Sequence, residues 1–144
     1  MRKRALVAAA ACVVGLAAAH VVAEAGKTAI VWPAGEIKWT DSPALKGAKT
    51  AVLWGDPKAG AYGALKSIPG GAGLALHTHS QDQRVVCVSG TITLAIEGMA
   101  ARDLGSGSYT FIPGGTKHKA DCKAGADCVY FEEAAGAFDI TFVK

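Results

Sequence analysis

Charge is scarce in this sequence, and helical periodicity is scarcer. Of 144 residues only 19% are charged, against 51% that are hydrophobic. A chain this apolar is not disordered. At this length it makes one domain, which excludes separate cofactor and substrate lobes. No 3.6-residue apolar stripe longer than two turns follows Gly26, so a helical fold is excluded as well. There is no internal repeat, linker or low-complexity segment beyond the alanine-rich start. No basic patch is present: Lys117, Lys119 and Lys123 are spread along one polar stretch and read as a solvated face. Nucleic acid is therefore not an expected partner. The longest apolar run, Ala5 to Ala19, falls short of the roughly 20 residues of a spanning helix.

That run reads as an export signal. Arg2, Lys3 and Arg4 form a basic start, Ala5 to Ala19 an uncharged apolar stretch, and Ala23-Glu24-Ala25 the small-x-small pattern of a cleavage site. Residues 1–25 are thus expected to be a signal peptide and 26–144 the mature domain, periplasmic or secreted and free of the membrane after cleavage. Ala17-Ala18-Ala19 is a second possible site. Losing Arg2, Lys3 and Arg4 takes Lys+Arg from 15 to 12, and losing Glu24 takes Asp+Glu from 12 to 11. The net charge falls from +3 to about +1. Three cysteines remain, in an oxidising compartment. Cys122 and Cys128 flank a five-residue turn, and across the base of a hairpin they could approach closely enough for a disulfide. The alternative is two buried thiols. Cys87 reads as a small core residue.

Short runs rich in Val, Ile, Thr and aromatics are punctuated by Gly, Pro and Asp. They predict strands at Thr28–Trp32, Lys49–Trp54, Ala61–Ile68, Gly73–His79, Arg84–Ser89, Thr91–Glu97, Ser108–Ile112, Lys117–Cys122, Asp127–Glu132 and Phe138–Val143. Ten short strands with turns every 8–12 residues indicate an all-β sandwich or barrel.

After cleavage three histidines are left: His77, His79 and His118. His77 and His79 are two apart on a predicted strand, so their imidazoles share a face. Gly73 and Ala75 are expected on that face, and Leu74 and Leu76 on the other. Gln83 can return to the same space across a turn, and His118 follows the Pro113-Gly114-Gly115 turn. Three imidazoles and a carboxamide oxygen converging from three strands make a metal site. Neutral imidazoles favour borderline transition ions over Mg or Ca. Gln83 either ligates weakly or leaves a three-histidine site with open positions. Strand parity places Val85, Cys87, Ala120, Cys122, Ile92, Leu94, Ile96, Phe138, Ile140 and Phe142 inward, with Tyr109 or Phe111 as a floor. Tyr130 and Glu132 share the parity of Cys128; their plain reading is a rim position. Asp82 and Glu132 are the candidates for a general base. Leu74, Leu76, Val86 and Val88 would face away from the metal and need cover, which predicts a homodimer.

The spacing resembles that of the cupins, which carry Gly-x5-His-x-His-x3/4-Glu-x6-Gly and then Gly-x5-Pro-x-Gly-x2-His-x3-Asn. Gly71, His77, His79, Gln83 and Gly90 match the first motif (71–90), with Gln83 in place of Glu. Gly107, Pro113, Gly115 and His118 match the second (107–122), with Cys122 in place of Asn. The run Ala51 to Pro57 is similar to exported cupins related to the cupin part of an anti-sigma regulator. The resemblance implies an all-β, cupin-type double-stranded β-helix (a jelly-roll barrel). It also implies one divalent transition metal (Fe, Mn, Ni, Cu or Zn) inside the mouth.

A fold of this kind hosts many chemistries. Two classes fit. One is a metal-dependent enzyme, dioxygenase-, isomerase- or lyase-like, acting on a small oxygenated molecule. The other is a non-catalytic periplasmic module that binds or senses a small ligand or metal. A metal-free, degenerate cupin is a third possibility.

Overall fold

The computed structural model describes residues 28–144; the expected signal peptide lies outside the described residues. Thr28–Val31 is exposed chain without regular structure, and the compact unit is Trp32–Lys144. The strand expected at Thr28–Trp32 does not form. Pro33 follows it and offers no backbone N–H to a ladder, and the Trp32 side chain instead donates its indole N–H to the Leu53 carbonyl at 2.9 Å.

After a 3-10 turn at Ala34–Glu36 come eleven strands: β1 (Thr40–Asp41), β2 (Lys49–Gly55), β3 (Tyr62–Ile68), β4 (Gly73–Thr78), β5 (Gln83–Ser89), β6 (Ile92–Ile96), β7 (Arg102–Leu104), β8 (Tyr109–Ile112), β9 (His118–Cys122), β10 (Cys128–Ala134) and β11 (Thr141–Phe142). Nine of the ten predicted strands are present. The short β1 and β7 were not foreseen, because two or three residues carry no readable alternation. The strands make two antiparallel sheets, ordered β1-β2-β3-β10-β5-β8 and β11-β4-β9-β6-β7. From β4 onward the chain crosses repeatedly between them, which is the winding of a double-stranded β-helix. No α-helix occurs among the described residues.

Inward residues alternate along β3, β5 and β10, for β5 and β10 with the parity expected. On β3 they are Tyr62, Ala64, Lys66 and Ile68; on β10, Cys128, Tyr130, Glu132 and Ala134. β4 breaks the rule. Leu74 pairs with Ala120 and His77 with His118, so three steps on β4 oppose two on β9. This bulge turns both Leu74 and His77 inward and leaves Ala75 and Leu76 exposed. The expected faces of Leu74 and Ala75 are therefore exchanged. Two other expectations fail. Tyr109 and Phe111 point outward, with the Arg84 guanidinium 5.3 Å over the Phe111 ring. Phe142 is 44% exposed, while Phe138 and Ile140 line the interior.

Cys122 and Cys128 are disulfide-bonded, with Cα atoms 5.7 Å apart. They do not face each other within one hairpin, because β9 and β10 lie in different sheets. The bridge instead staples the sheets at the end of the barrel where Ile68, Cys87, Ile92 and Tyr130 pack around it. Gly90 makes this closure possible. Its φ is +75°, and a Cβ there would come within 2.8 Å of the Asp127 carbonyl oxygen. Cys87 is free and buried, and burial pushes its thiol pKa up. The chain-entropy account gives about 2 kcal/mol for so small a loop. Replacing both Cys122 and Cys128 with Ala is expected to lower the unfolding free energy by about that amount and so move the urea midpoint down. An unchanged midpoint would show that packing alone closes this end.

Candidate metal centre

At the other end of the interior two paired strands bring three histidines together. His77 lies on β4, His79 one residue past its end, and His118 opens β9 directly opposite His77. All three are buried. Their ring centroids are 4.9 Å (His77–His79), 4.2 Å (His77–His118) and 5.3 Å (His79–His118) apart. One ring nitrogen from each lies within 4.8 Å of the others.

The second ring nitrogen decides what this cluster can do. His77 Nδ1 is 2.7 Å from the Ala75 carbonyl, His118 Nδ1 is 2.9 Å from the Thr116 carbonyl, and His79 Nδ1 meets the Asp139 carbonyl. A carbonyl oxygen only accepts, so each Nδ1 carries the proton and donates it. Each Nε2 is then left with its lone pair. This is the arrangement that orients imidazoles as ligands. Burial lowers the pKa of His77 to about 4 and lowers that of His79 too, so both are neutral near pH 7. Three oriented, mutually close imidazoles fit one borderline transition ion.

The surrounding loops hold this geometry. Gly115, at φ +77°, donates its N–H to the His79 carbonyl at 2.8 Å. Asp139 accepts the Ser80 N–H at 2.8 Å, which holds its carboxyl below the usual carboxylate range. Asp82 accepts the Gly114 N–H at 2.8 Å and does not line the interior. It is a turn brace, not the general base considered above.

Gln83 is buried at the start of β5 and lines the same cavity as the three histidines. The walls are otherwise mostly apolar, among them Leu74, Val85, Leu94, Ile112 and Ile140. Beside the histidines sits a polar group that strand parity only hinted at. Glu132 is buried, not at a rim. Its Oε1 accepts the Tyr62 hydroxyl and lies 2.5 Å from Lys66 Nζ. The Lys66 ammonium also stands 3.9 Å from the centre of the Phe138 ring. Desolvation and the Glu132 charge push the Tyr62 pKa far up, so that phenol stays a donor. The available signal was a lysine and a glutamate at inward positions of otherwise apolar strands.

Residues 16–141 match a family described as a domain of unknown function (DUF4437). No curated protein matches the sequence. Similar solved structures are cupins and their relatives. The polyketide cyclase RemF from Streptomyces resistomycificus is 16% identical, with a TM-score of 0.69 over 81% of this chain and 87% of its own. An RmlC-like cupin from Shewanella frigidimarina is 18% identical, with a TM-score of 0.60 over 76% and 92%. The DMSP lyase DddQ from Ruegeria pomeroyi is 16% identical, with a TM-score of 0.63 over 76% and 62%, so this chain spans about three fifths of it. At these identities the likeness establishes the cupin double-stranded β-helix and no reaction. With the family match covering most of the sequence, the chain belongs to the DUF4437 family.

Proposed function

We propose that His77, His79 and His118 hold one divalent transition metal, with Gln83 as a weaker fourth ligand, and that the protein is a metal-dependent enzyme acting on a small oxygenated molecule. The observation that carries this is the set of three Nδ1–H bonds to backbone carbonyls, which turns the three Nε2 atoms of buried rings away from the backbone. Such an ion, once bound, supplies Lewis-acid or redox chemistry. The chain contributes the rest. The apolar walls exclude water and seat the body of the substrate, and its oxygen-bearing end meets the histidine end of the cavity. The cyclase and the lyase named above use this fold for enzymes, which supports the class but not the substrate. One observation favours the second reading, a ligand- or metal-sensing module. Among the described residues the single acidic side chain lining the cavity, Glu132, is already engaged by Tyr62 and Lys66.

Metal content of dialysed variants tests the site. His77→Ala, His79→Ala or His118→Ala should remove most of the bound ion. Gln83→Ala should weaken binding less, because water can replace an amide oxygen. Gln83→Glu should tighten it by adding an anionic donor. Wild-type occupancy in His77→Ala and His118→Ala would defeat the proposal. Iron or manganese with oxygen uptake would favour the enzyme, and zinc without turnover the binding module.

Acid sensitivity of the metal-free protein follows from the same burial. The His77 pKa is about 4 when folded and 6.5 when free, so between these values the unfolded chain binds the extra proton. Stability therefore falls as pH drops from about 6.5 to about 4, by about 3 kcal/mol from this residue. Urea midpoints across that range should show the decline, and His77→Gln should flatten it. A flat wild-type profile would mean that His77 protonates freely when folded.

The setting we propose is extracytoplasmic, with a homodimer covering Leu76, Val86 and Val88, all exposed in one chain. Exported protein should have an intact mass beginning at Gly26 and twice the monomer mass by light scattering. Retention of Met1 to Ala19 would refute export, and a monomer mass would refute the dimer.

A further inference from the structure

Resting on the three-histidine reading, a second question is what balances the charge of a divalent ion in that place. Three neutral imidazoles and one amide bring no negative charge. An uncompensated ion in a largely apolar cavity carries a heavy desolvation cost. Among the described residues the only acidic side chain lining the cavity is Glu132. It sits on β10, opposite Val85 of β5, while its neighbour two residues on, Ala134, is opposite Gln83. Its carboxylate is therefore one pleat step from the Gln83 amide, on the adjacent strand.

The two oxygens of Glu132 are used unequally. Oε1 takes both the Tyr62 hydroxyl and the Lys66 ammonium. Among the described residues nothing hydrogen-bonds Oε2, yet no fully buried side-chain oxygen or nitrogen lacks a partner. Oε2 thus keeps open surface, on a side chain that faces the cavity of the histidines. A buried ion pair of this kind is not explained by stability, since apolar replacements of such pairs are often neutral or better.

We propose that Glu132 is the anionic partner of the metal centre, with Oε2 turned to the cavity while Tyr62 and Lys66 hold Oε1. The ammonium then tempers metal affinity, and its removal should raise it.

The test is equilibrium binding of Co2+ and of Zn2+, each alone, to the full chain in competition with a chelator. Thermal melts of the metal-free variants would establish folding. Glu132→Gln should bind roughly tenfold more weakly than wild type, the lower end for residues that support a metal site from behind its ligands. Lys66→Met should bind several-fold more tightly. Glu132→Gln alone strands a buried ammonium and could unfold the chain. The decisive comparison is then Lys66→Met against Lys66→Met/Glu132→Gln, where the double variant should again lose about tenfold. Equal affinity of those two, or weaker binding by Lys66→Met than by wild type, would overturn the proposal. Loss of binding in His77→Ala with no effect at Glu132 would sink this inference alone. A wild-type protein that binds neither ion would sink the three-histidine reading and this inference with it.

Discussion

Three imidazoles can share one ligand only if their protonated nitrogens point away from it. Everything at the histidine end of this barrel serves that constraint. His77 and His118 meet it locally, each donating Nδ1–H to the carbonyl two residues before it, at Ala75 and Thr116. His79 lies beyond the end of β4 and has no such local acceptor. It takes the Asp139 carbonyl, sixty residues away, from the segment leading into β11. Asp139 is held in turn by the Ser80 N–H. The last stretch of chain therefore positions the third ring, although it offers no ligand of its own.

The bulge in β4 is the second consequence of the same demand. A regular strand would have put Leu74 and His77 on opposite faces. With the extra residue, Leu74 fills the interior below and His77 still faces His118 across the ladder. Without it, one of them would have faced solvent: an apolar side chain lost from the core, or a ring lost from the cluster. Bulges next to functional sites re-aim side chains in just this way.

Much of this was legible in the residues, and the failures have physical reasons. The sheet fold could be read from short β-branched runs between glycines and prolines, because turns and burial leave direct marks on composition. The three clustered histidines could be read from His-x-His and a third histidine after Pro113-Gly114-Gly115. Parity succeeded along β5 and β10, where pairing near the site is regular, and failed along β4, where one inserted residue inverted it. A bulge leaves no mark that alternation can detect. Phe142 was placed inside by alternation and Tyr109 or Phe111 as a floor; one face of each sheet has to carry side chains outward, and β8 and β11 are edge strands. Lys66 was missed because a single lysine reads as a solvated one. Only the ladder showed that its strand faces inward at that position, opposite Tyr130.

The two ends of the barrel divide the work. At the disulfide end the polar content is low, the packing is apolar and a covalent bond joins the sheets, so little there needs to move or ionise. At the histidine end the interior holds imidazoles, an amide, a phenol and an ion pair, drawn from β3, β4, β5, β9 and β10, and among the described residues no fully buried side-chain nitrogen or oxygen lacks a partner. Polar groups so placed are costly when any one lacks its partner. The rigid end carries part of that cost, because closing the sheets there limits how far they can part around the site. Lys66 and Tyr62 restrain the carboxylate, and the sheets hold the amide in register with Ala134 and Ile112.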